Sequence, residues 1–111
     1  MSSSRVFSIR CERPSGASFE FRVAPEGRIG VYLVRESETR VHLTDPTSFH
    51  NVVMGYAFET PDGLGGRLAL QIQDGVIVVD HRDAKKEQSV ARMSAVEFGR
   101  RIQGLGAAFV L

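Results

Sequence analysis

The sequence predicts an α+β protein built from two pseudo-repeated ββββα units, with antiparallel sheets and helices packed on one side. Three observations predict this class. Apolar residues alternate with polar ones in several short segments, turn signals separate these segments, and the two halves match in order and spacing. We therefore expect a single domain over residues 1–111, with units at about 5–56 and 57–111.

The spacing of the two halves supports the pseudo-repeat. Gly27 lies 22 residues before Phe49, and Gly75 lies 23 residues before Phe98. A period near 50 residues can also indicate a stacked array, and ββα patterns recur by chance in small proteins. Two copies favour a closed domain with pseudo-twofold symmetry.

The second unit begins with a strand in which Leu68, Leu70 and Ile72 share one face. The dipeptide Asp74-Gly75 follows and predicts a two-residue hairpin, because glycine accepts the positive φ of a primed turn. The apolar run at 76–79 is its returning strand.

A charged loop at 80–88 and a short strand at 90–93 lead to the second helix. Ser94 and Glu97 have the spacing of a capping box, which predicts a helix start there. The helix should end at a glycine, 104 or 106. Its predicted apolar stripe consists of Met93 or Phe98 with Val96, Ile102 and Leu105.

The first unit has strand patterns at 5–11, 18–23, 28–35 and 40–43, and a fifth strand begins at 57–59. The strand at 28–35 is apolar on both faces, which predicts an interior position in the sheet. Thr44 or Asp45 can cap a helix, and Pro46 suits its first turn. The inner side of this helix is predicted to be Phe49, Val52, Val53 and Tyr56. The core phenylalanines are predicted to be Phe7, Phe19, Phe21, Phe49 and Phe98, while Phe58 and Phe109 fit either the core or a contact with a base.

The composition of the chain limits the classes of function that it can have. Fourteen basic and thirteen acidic residues leave a formal charge of +1, which is low for a strong nucleic-acid binder. Cys11 is the only cysteine, so a cysteine-based zinc site and an intrachain disulfide are excluded. The chain shows neither a signal-peptide pattern nor an apolar run of membrane-spanning length, so we expect an intracellular protein with no membrane partner.

The run from Phe19 to Glu36, FEFRVAPEGRIGVYLVRE, resembles a PUR repeat. That repeat has an aromatic-led strand, a turn ending in Gly-Arg, and a second apolar strand running into a glutamate. The segment Met93-Ser94-Ala95-Val96-Glu97-Phe98 is similar to the start of the PUR helix. Residues 86–109 also resemble the corresponding part of the plant Whirly proteins, with Ser-x-x-Glu, a glycine-rich helix end and a closing aromatic.

Both families are built from ββββα repeats and bind single-stranded nucleic acid. The resemblance therefore implies a binder of single-stranded DNA or RNA, with no catalysis, no cofactor and no small-molecule substrate.

Single strands are held by cations along the phosphates and by aromatic faces on which bases stack. Tyr32 is the best stacking candidate, with Arg22 beside it on the neighbouring strand. Each of these residues also fits a solvated position on an amphipathic sheet. The predicted binding residues, on a curved sheet face and its flanking loop, are Arg10, Arg22, Tyr32, Arg35, Arg40, Arg67, Arg82, Lys85 and Lys86.

Catalytic and metal sites have little support. His81-Arg82-Asp83 matches the catalytic triplet of protein kinases, but the following asparagine, the glycine-rich loop and the strand lysine are missing. His42, His50 and His81 lack metal-ligand spacing. We expect no catalytic residue and no metal.

The rival hypothesis is a protein-interaction or assembly module, including a homo-oligomer, because sheet edges must be paired or protected. The apolar closing strand at 107–111 is a candidate for such pairing. Clustering of Arg22, Arg35, Arg40 and Arg67 on one concave face would favour nucleic acid. Scatter together with an apolar patch would favour a protein partner.

Overall fold

The computed structural model describes residues 5–106, which form eight strands and two helices. In chain order these are β1 (Val6–Arg13), β2 (Ser18–Val23), β3 (Ile29–Val34), β4 (Glu38–Thr44), α1 (Pro46–Val53), β5 (Phe58–Pro61), β6 (Arg67–Gln73), β7 (Val76–Arg82), β8 (Gln88–Ser94) and α2 (Ala95–Gly106).

The eight strands form one antiparallel sheet in the order β4-β3-β2-β1-β8-β7-β6-β5. β1 pairs with β8, with Cys11 opposite Ala91 and Arg13 opposite Val90. The sheet curves strongly enough to bring its two outer strands, β4 and β5, close to each other. The ring centroids of His42 on β4 and Phe58 on β5 are 5.2 Å apart.

The prediction of two pseudo-repeated ββββα units, with antiparallel sheets and helices packed on one side, is therefore wrong. The protein is mostly antiparallel β, a nearly closed, barrel-like sheet with two short helices. The finding that overturns the prediction is the β1–β8 pairing, which merges strands from both halves. Unpaired inner edges on β1 and β8 would leave backbone polar groups without partners, and this pairing satisfies them.

The core lies between the inner face of the sheet and the helices, and it is dominated by phenylalanine. The rings of Phe7 and Phe21 stack with centroids 4.7 Å apart, and Phe49 and Phe98 meet Phe21 edge to face at 5.5 and 5.6 Å. Such pairs add about 0.5–1.5 kcal/mol beyond the burial of their area. With Phe19, all five phenylalanines predicted for the core are buried, so that prediction is confirmed.

Two residues predicted to be on inner helix faces are at the surface instead. Tyr56 is 70% exposed because α1 ends at Val53, before the chain reaches it. Val96 is 74% exposed, whereas Phe98 is fully buried. Residues two apart on a helix lie about 200° apart around its axis, so both cannot face the core.

The turn signal at Asp74-Gly75 and the cap signal at Ser94 are confirmed, whereas Asp45 occupies the N-cap position of α1 without a capping hydrogen bond from its side chain. Asp74 and Gly75 have φ values of 52° and 76°, as a primed hairpin turn requires. The Ser94 hydroxyl oxygen accepts a hydrogen bond of 3.1 Å from the backbone N–H of Glu97, and α2 begins at Ala95.

Neither helix within residues 5–106 has the length and apolar character to cross a membrane. The closing strand predicted at 107–111, with Phe109, lies outside the described residues. The intracellular location stays a prediction.

Candidate functional site

Four loops gather at the end of the sheet opposite the helices, which we call the hairpin end. They connect β1 to β2, β3 to β4, β5 to β6 and β7 to β8. Antiparallel pairing across the whole sheet brings these four connections to the same end. Two adjoining cavities lie among them and share Arg35 and Ser37.

The inner cavity has a volume of about 210 Å³. The outer cavity is more open, has a volume of about 640 Å³, and is formed by the β1–β2 and β3–β4 loops. The inner cavity is lined by two leucines and six polar or charged residues, namely Leu33, Leu64, Arg35, Ser37, Thr39, Asp62, His81 and Asp83.

A buried histidine–aspartate pair forms one wall of the inner cavity. His81 Nε2 lies 2.8 Å from Asp62 Oδ2, and the two side chains are only 4% and 2% exposed. Burial pushes the pKa of Asp62 upward, but hydrogen bonds from His81 and from the N–H groups of Leu64 and Gly66 outweigh it. The pKa of Asp62 is therefore below its ordinary value.

An ionised carboxylate can only accept hydrogen bonds, so His81 Nε2 carries the proton and donates it to Asp62. The other ring nitrogen of this histidine is Nδ1. This atom is buried and, among residues 5–106, has no hydrogen-bond partner. A buried polar atom without a partner is rare in folded proteins and requires an explanation.

Asp62 is held by its own loop. Its Oδ1 accepts hydrogen bonds from the backbone N–H groups of Leu64 at 2.7 Å and Gly66 at 2.8 Å. The loop from Asp83 to Glu87 repeats this arrangement, because Asp83 Oδ1 accepts from Lys85 and Glu87, both at 2.9 Å. The two loops differ in that only Asp62 is buried against a histidine.

Arg35 is fixed at the boundary between the two cavities. Its guanidinium donates a 2.8 Å hydrogen bond to the hydroxyl of Ser89, which is fully buried, and forms a 3.4 Å ion pair with Glu87. Burial raises the pKa of the Cys11 thiol, and the positive charge of Arg35 opposes that rise. Arg35 is therefore a preorganised cation, with its position set by β8 and the β7–β8 loop.

Lys85 and Lys86 belong to the same β7–β8 loop and are exposed. In the part of the chain that the structure describes, neither forms a salt bridge. Arg82 is exposed at the end of β7, just before this loop. These three cations, Arg35 and Arg67 are the predicted binding residues that the fold brings to the hairpin end, because Arg67 begins β6 directly opposite Arg82.

Tyr32 and Arg22 lie on the outer surface of the sheet and contact each other, as their neighbouring strands predict. The guanidinium carbon of Arg22 is 4.1 Å from the Tyr32 ring centroid. A Cβ on Gly30 would lie 2.9 Å from Tyr32 Cε1, so the ring lies over this glycine. Arg22 also pairs with Glu20 at 2.8 Å and Glu38 at 2.7 Å. The ring face that Arg22 covers is therefore closed to a base, and the charge of Arg22 is compensated.

The remaining predicted residues, Arg10 and Arg40, lie with Arg67 on the outer surface of the strands. Arg10 and Arg40 are exposed on β1 and β4, and Arg40 is opposite Tyr32 in the register. Arg67, opposite Arg82 at the start of β6, forms an ion pair with Glu59. The predicted set does not share one concave face, because the inner face of the sheet is filled by the core.

The sequence interpretation missed the buried pair. It assigned residues 80–88 to a charged loop, whereas β7 extends to Arg82. Period-two alternation from Ile77 through Val79 to His81 places this histidine on the core face, and that signal could have found it. Within residues 5–106, no three His, Cys, Asp or Glu side chains are grouped to hold a metal ion.

No family model, curated protein or solved structure matches this chain. The resemblance to the PUR and Whirly families stays a prediction.

Proposed function

We propose that this protein binds single-stranded DNA or RNA, without catalysis, and that the strand lies across the hairpin end. The observation that carries the proposal is the position of Arg35. This fixed guanidinium separates two adjoining cavities, and the exposed Lys85 and Lys86 lie on the loop that holds it. Cations along the phosphates are one of the two features that hold a single strand, and the recesses beside Arg35 leave space for its bases. The second feature, an aromatic stacking face, is not supplied by a Phe or Tyr in the lining of either cavity.

The near-neutral surface limits the expected strength of binding. Three phosphate contacts, one each for Arg35, Lys85 and Lys86, predict a slope of about −2 for log K against log salt on a single strand. Raising the salt from about 50 to 200 mM should then weaken binding about 20-fold. Larger basic binders lose more over the same range.

Fluorescence anisotropy with labelled single-stranded DNA and RNA oligomers, and duplex as a control, tests the proposal. We expect saturable single-strand binding with the salt dependence given above, and the ratio of the two affinities identifies the preferred strand. The variant Lys85→Gln/Lys86→Gln should bind more weakly and reduce the salt slope.

The matched control is Arg100→Gln/Arg101→Gln, which removes two charges from α2, at the opposite end of the molecule. These arginines pair with Glu97 on their own helix. The control should bind like the unmodified protein. Absence of binding at low salt, or equal losses in both double variants, would refute binding at the hairpin end.

The sheet surface predicted from the sequence has its own test. The variant Arg22→Ala/Tyr32→Ala should weaken binding if the strand runs over the outer face of β2 and β3. If the strand lies at the hairpin end, this variant should fold and bind with unchanged affinity.

A second candidate function, assembly with another copy of the chain, has a separate observation in its favour. Met54, Tyr56 and Val96 are 65%, 70% and 74% exposed, and Val96 borders a groove of about 410 Å³ between α1 and α2. The scatter of the arginines also has the pattern expected for a protein partner. Light scattering across protein concentration, with Val96→Asp as the variant, distinguishes a dimer through the helices from a monomer.

A further inference from the structure

We propose that the space between the outer edges of β4 and β5, which we call the β4–β5 cleft, is a docking site for an extended peptide segment of a protein partner. The segment adds to the sheet as a further β-strand and carries an acidic side chain beside Arg40. This inference goes beyond the proposed nucleic-acid binding and does not depend on it. It is carried by the unpaired backbone of the two edges, the shape of the cleft, and the charge and exposure of its lining.

The two outer strands have unpaired backbone groups along the edges that face each other. Within residues 5–106, β4 pairs only with β3, and β5 pairs only with β6. An outer edge leaves alternate N–H and C=O groups free and is a template for another extended chain. β4 is the longer template, with seven residues, because β5 has only four and its Pro61 lacks an N–H. The ladder of β4 with β3 contains one register shift, and bulges of this kind are common at sheet edges and beside functional sites.

The cleft is closed by side chains near the helices and open toward the hairpin end. The rings of His42 and Phe58 meet across its closed part, with centroids 5.2 Å apart. Its open part is a cavity of about 390 Å³ between residues 40–43 of β4 and residues 61–64 of β5 and the β5–β6 loop. Four residues of a β-strand span about 13 Å. The cavity therefore follows β4 over the length of a short added strand.

The occupant must be a chain with two free edges, because it lies between two edges of the same sheet. An edge strand of another folded sheet, including β4 or β5 of a second copy, already has one edge paired and cannot enter the cleft. All neighbouring strands are antiparallel, so β4 and β5 run in opposite directions. An added strand that is antiparallel to β4 is then parallel to β5, and it forms its more stable ladder on the longer edge. An extended segment outside any sheet of its own protein meets these conditions.

The charges of the cleft favour an acidic segment. Arg40 is exposed and forms no salt bridge within residues 5–106. Burial lowers the pKa of His42, so its imidazole is neutral at pH 7, and Arg40 is the one cation among the described residues that line the cleft. Asp62 also lines the cleft, but its carboxylate is buried and already accepts three hydrogen bonds. An aspartate or glutamate beside Arg40 therefore gives the segment charge complementarity.

The two faces of β4 determine the side-chain pattern of the segment. His42 is opposite the fully buried Val31 in the register and therefore faces the interior of the sheet. Val41 is also buried, whereas Arg40 lies on the outer surface. Side chains of an added strand alternate between these two faces, so its inward residues should be apolar and its outward residues should include the acid. Leu64 lines the same cavity, is 60% exposed, and offers further apolar contact.

The test first selects a peptide. The probe is a phage-displayed library of random twelve-residue peptides, panned on the folded protein, so that the result does not depend on one chosen sequence. We expect enriched peptides with apolar residues at alternate positions and an aspartate or glutamate between them. Anisotropy with the labelled peptide measures its affinity. If no sequence is enriched, the proposal is overturned.

Amide hydrogen exchange measured by NMR then locates the bound peptide. In the protein alone, the β4 amides that point into the cleft should exchange faster than those bonded to β3. The selected peptide should slow their exchange by about tenfold or more. Equal protection of all β4 amides in the protein alone means that the chain closes the cleft itself. Peptide binding without added protection in β4 places the site elsewhere, and either result overturns the proposal.

Methylation of the peptide backbone distinguishes strand addition from apolar contact alone. N-methyl groups at alternate residues block the hydrogen bonds of one edge and keep every side chain. One alternate set should weaken binding by more than about tenfold and the other set by less, because β4 offers a longer edge than β5. A peptide that tolerates methylation of both sets does not bind as a β-strand, which contradicts the proposal.

Single-stranded oligo-dT keeps this proposal distinct from the proposed function. We expect oligo-dT to leave the exchange of the cleft-facing β4 amides unchanged and not to displace the peptide. Displacement together with protection of these amides by oligo-dT assigns the cleft to nucleic acid and overturns the peptide site. Failure of oligo-dT to bind anywhere refutes the proposed function and leaves the peptide site in place.

Two exposed side chains give an independent measurement with little risk to folding. Arg40→Glu should weaken binding of the selected peptide about three- to tenfold. Its control is Arg10→Glu, the same charge reversal at an exposed position on β1, which should leave the affinity unchanged. Leu64→Ala should weaken binding about tenfold, with Val96→Ala on α2 as the control. Equal affinities of both variants and their controls contradict the proposed site.

Discussion

Replacing Asp62 with alanine should lower the free energy of unfolding by about 3–5 kcal/mol. The side chain is buried and accepts three hydrogen bonds, from His81 at 2.8 Å, Leu64 at 2.7 Å and Gly66 at 2.8 Å. A hydrogen bond to a charged group contributes about 1.5–3 kcal/mol, and each backbone bond about 1 kcal/mol. The truncation also leaves the His81 Nε2–H buried without an acceptor.

The chain contains a matched control for this variant. Asp83 makes the same two backbone hydrogen bonds in the β7–β8 loop, both at 2.9 Å, but it contacts no histidine there. Its partners, Lys85 and Glu87, are exposed, so water can replace the lost bonds. Asp83→Ala should therefore cost only about 1 kcal/mol.

Urea denaturation followed by circular dichroism measures both variants. With m near 1.5 kcal/mol/M, the Asp62 variant should lose about 2–3 M in its midpoint, and the Asp83 variant less than about 1 M. Asp62→Asn, which keeps one oxygen for the loop, should fall between them and serves if the alanine variant does not fold. Equal midpoint shifts for Asp62→Ala and Asp83→Ala would refute the role assigned to the buried His81 contact.

The pKa of Asp62 gives this contact a pH dependence. Because its pKa in the folded protein is below the ordinary value of 3.8, the folded state binds fewer protons than the unfolded state in that range. The stability it contributes is fully present above the unfolded pKa and is lost as the pH falls through the folded pKa. Stability measured between about pH 5 and 2 should fall less steeply for Asp62→Asn than for the unmodified protein. Identical slopes would contradict this assignment.

Four further substitutions test the fold. Gly66→Ala should destabilise the protein by more than about 2 kcal/mol, because the added Cβ would collide with the Arg82 carbonyl and Asp62 Oδ2. At Gly104 an added Cβ meets no atom within 4 Å, so Gly104→Ala should be neutral or stabilising by about 0.5–1 kcal/mol. Phe98→Ala should cost about 3–5 kcal/mol through the cavity it leaves, and a loss below 1 kcal/mol in thermal or urea unfolding would contradict the described core. Val96→Ala, at 74% exposure, should stay within about 0.5 kcal/mol in the same assays.

Local features of the fold could be predicted from the sequence because their causes are local. The turn at Asp74-Gly75 depends on two φ values, and the start of α2 depends on one hydroxyl three residues before an N–H. The alternation that predicts β6 also identifies its buried face, since period two follows from the geometry of any strand. These local signals do not indicate which strand edges pair with each other.

The pairing of β1 with β8 could not be predicted for that reason. β1 alternates between buried and exposed residues and β8 buries three residues in a row, but neither strand contains a residue that identifies its neighbour. The candidate site could not be predicted from the sequence for the same reason. Asp62 and His81 lie 19 residues apart and form no motif, and they meet because β6 pairs with β7 and the β5–β6 loop folds over the end of β7. The cations could be listed from residue type, but their division between the hairpin end and the outer surface depends on the closure of the sheet.

The pairing of β1 with β8 also determines when this protein can fold during its synthesis. Cys11 and its partner Ala91 are 80 residues apart, so a ribosome adding about 5–20 residues per second needs roughly 4–16 s between making the two. During that interval β1 to β4 can form their hairpins, while the other edge of β1 exposes backbone groups to neighbouring nascent chains. The first half of the protein must therefore stay free of aggregation for several seconds before β8 emerges and covers that edge.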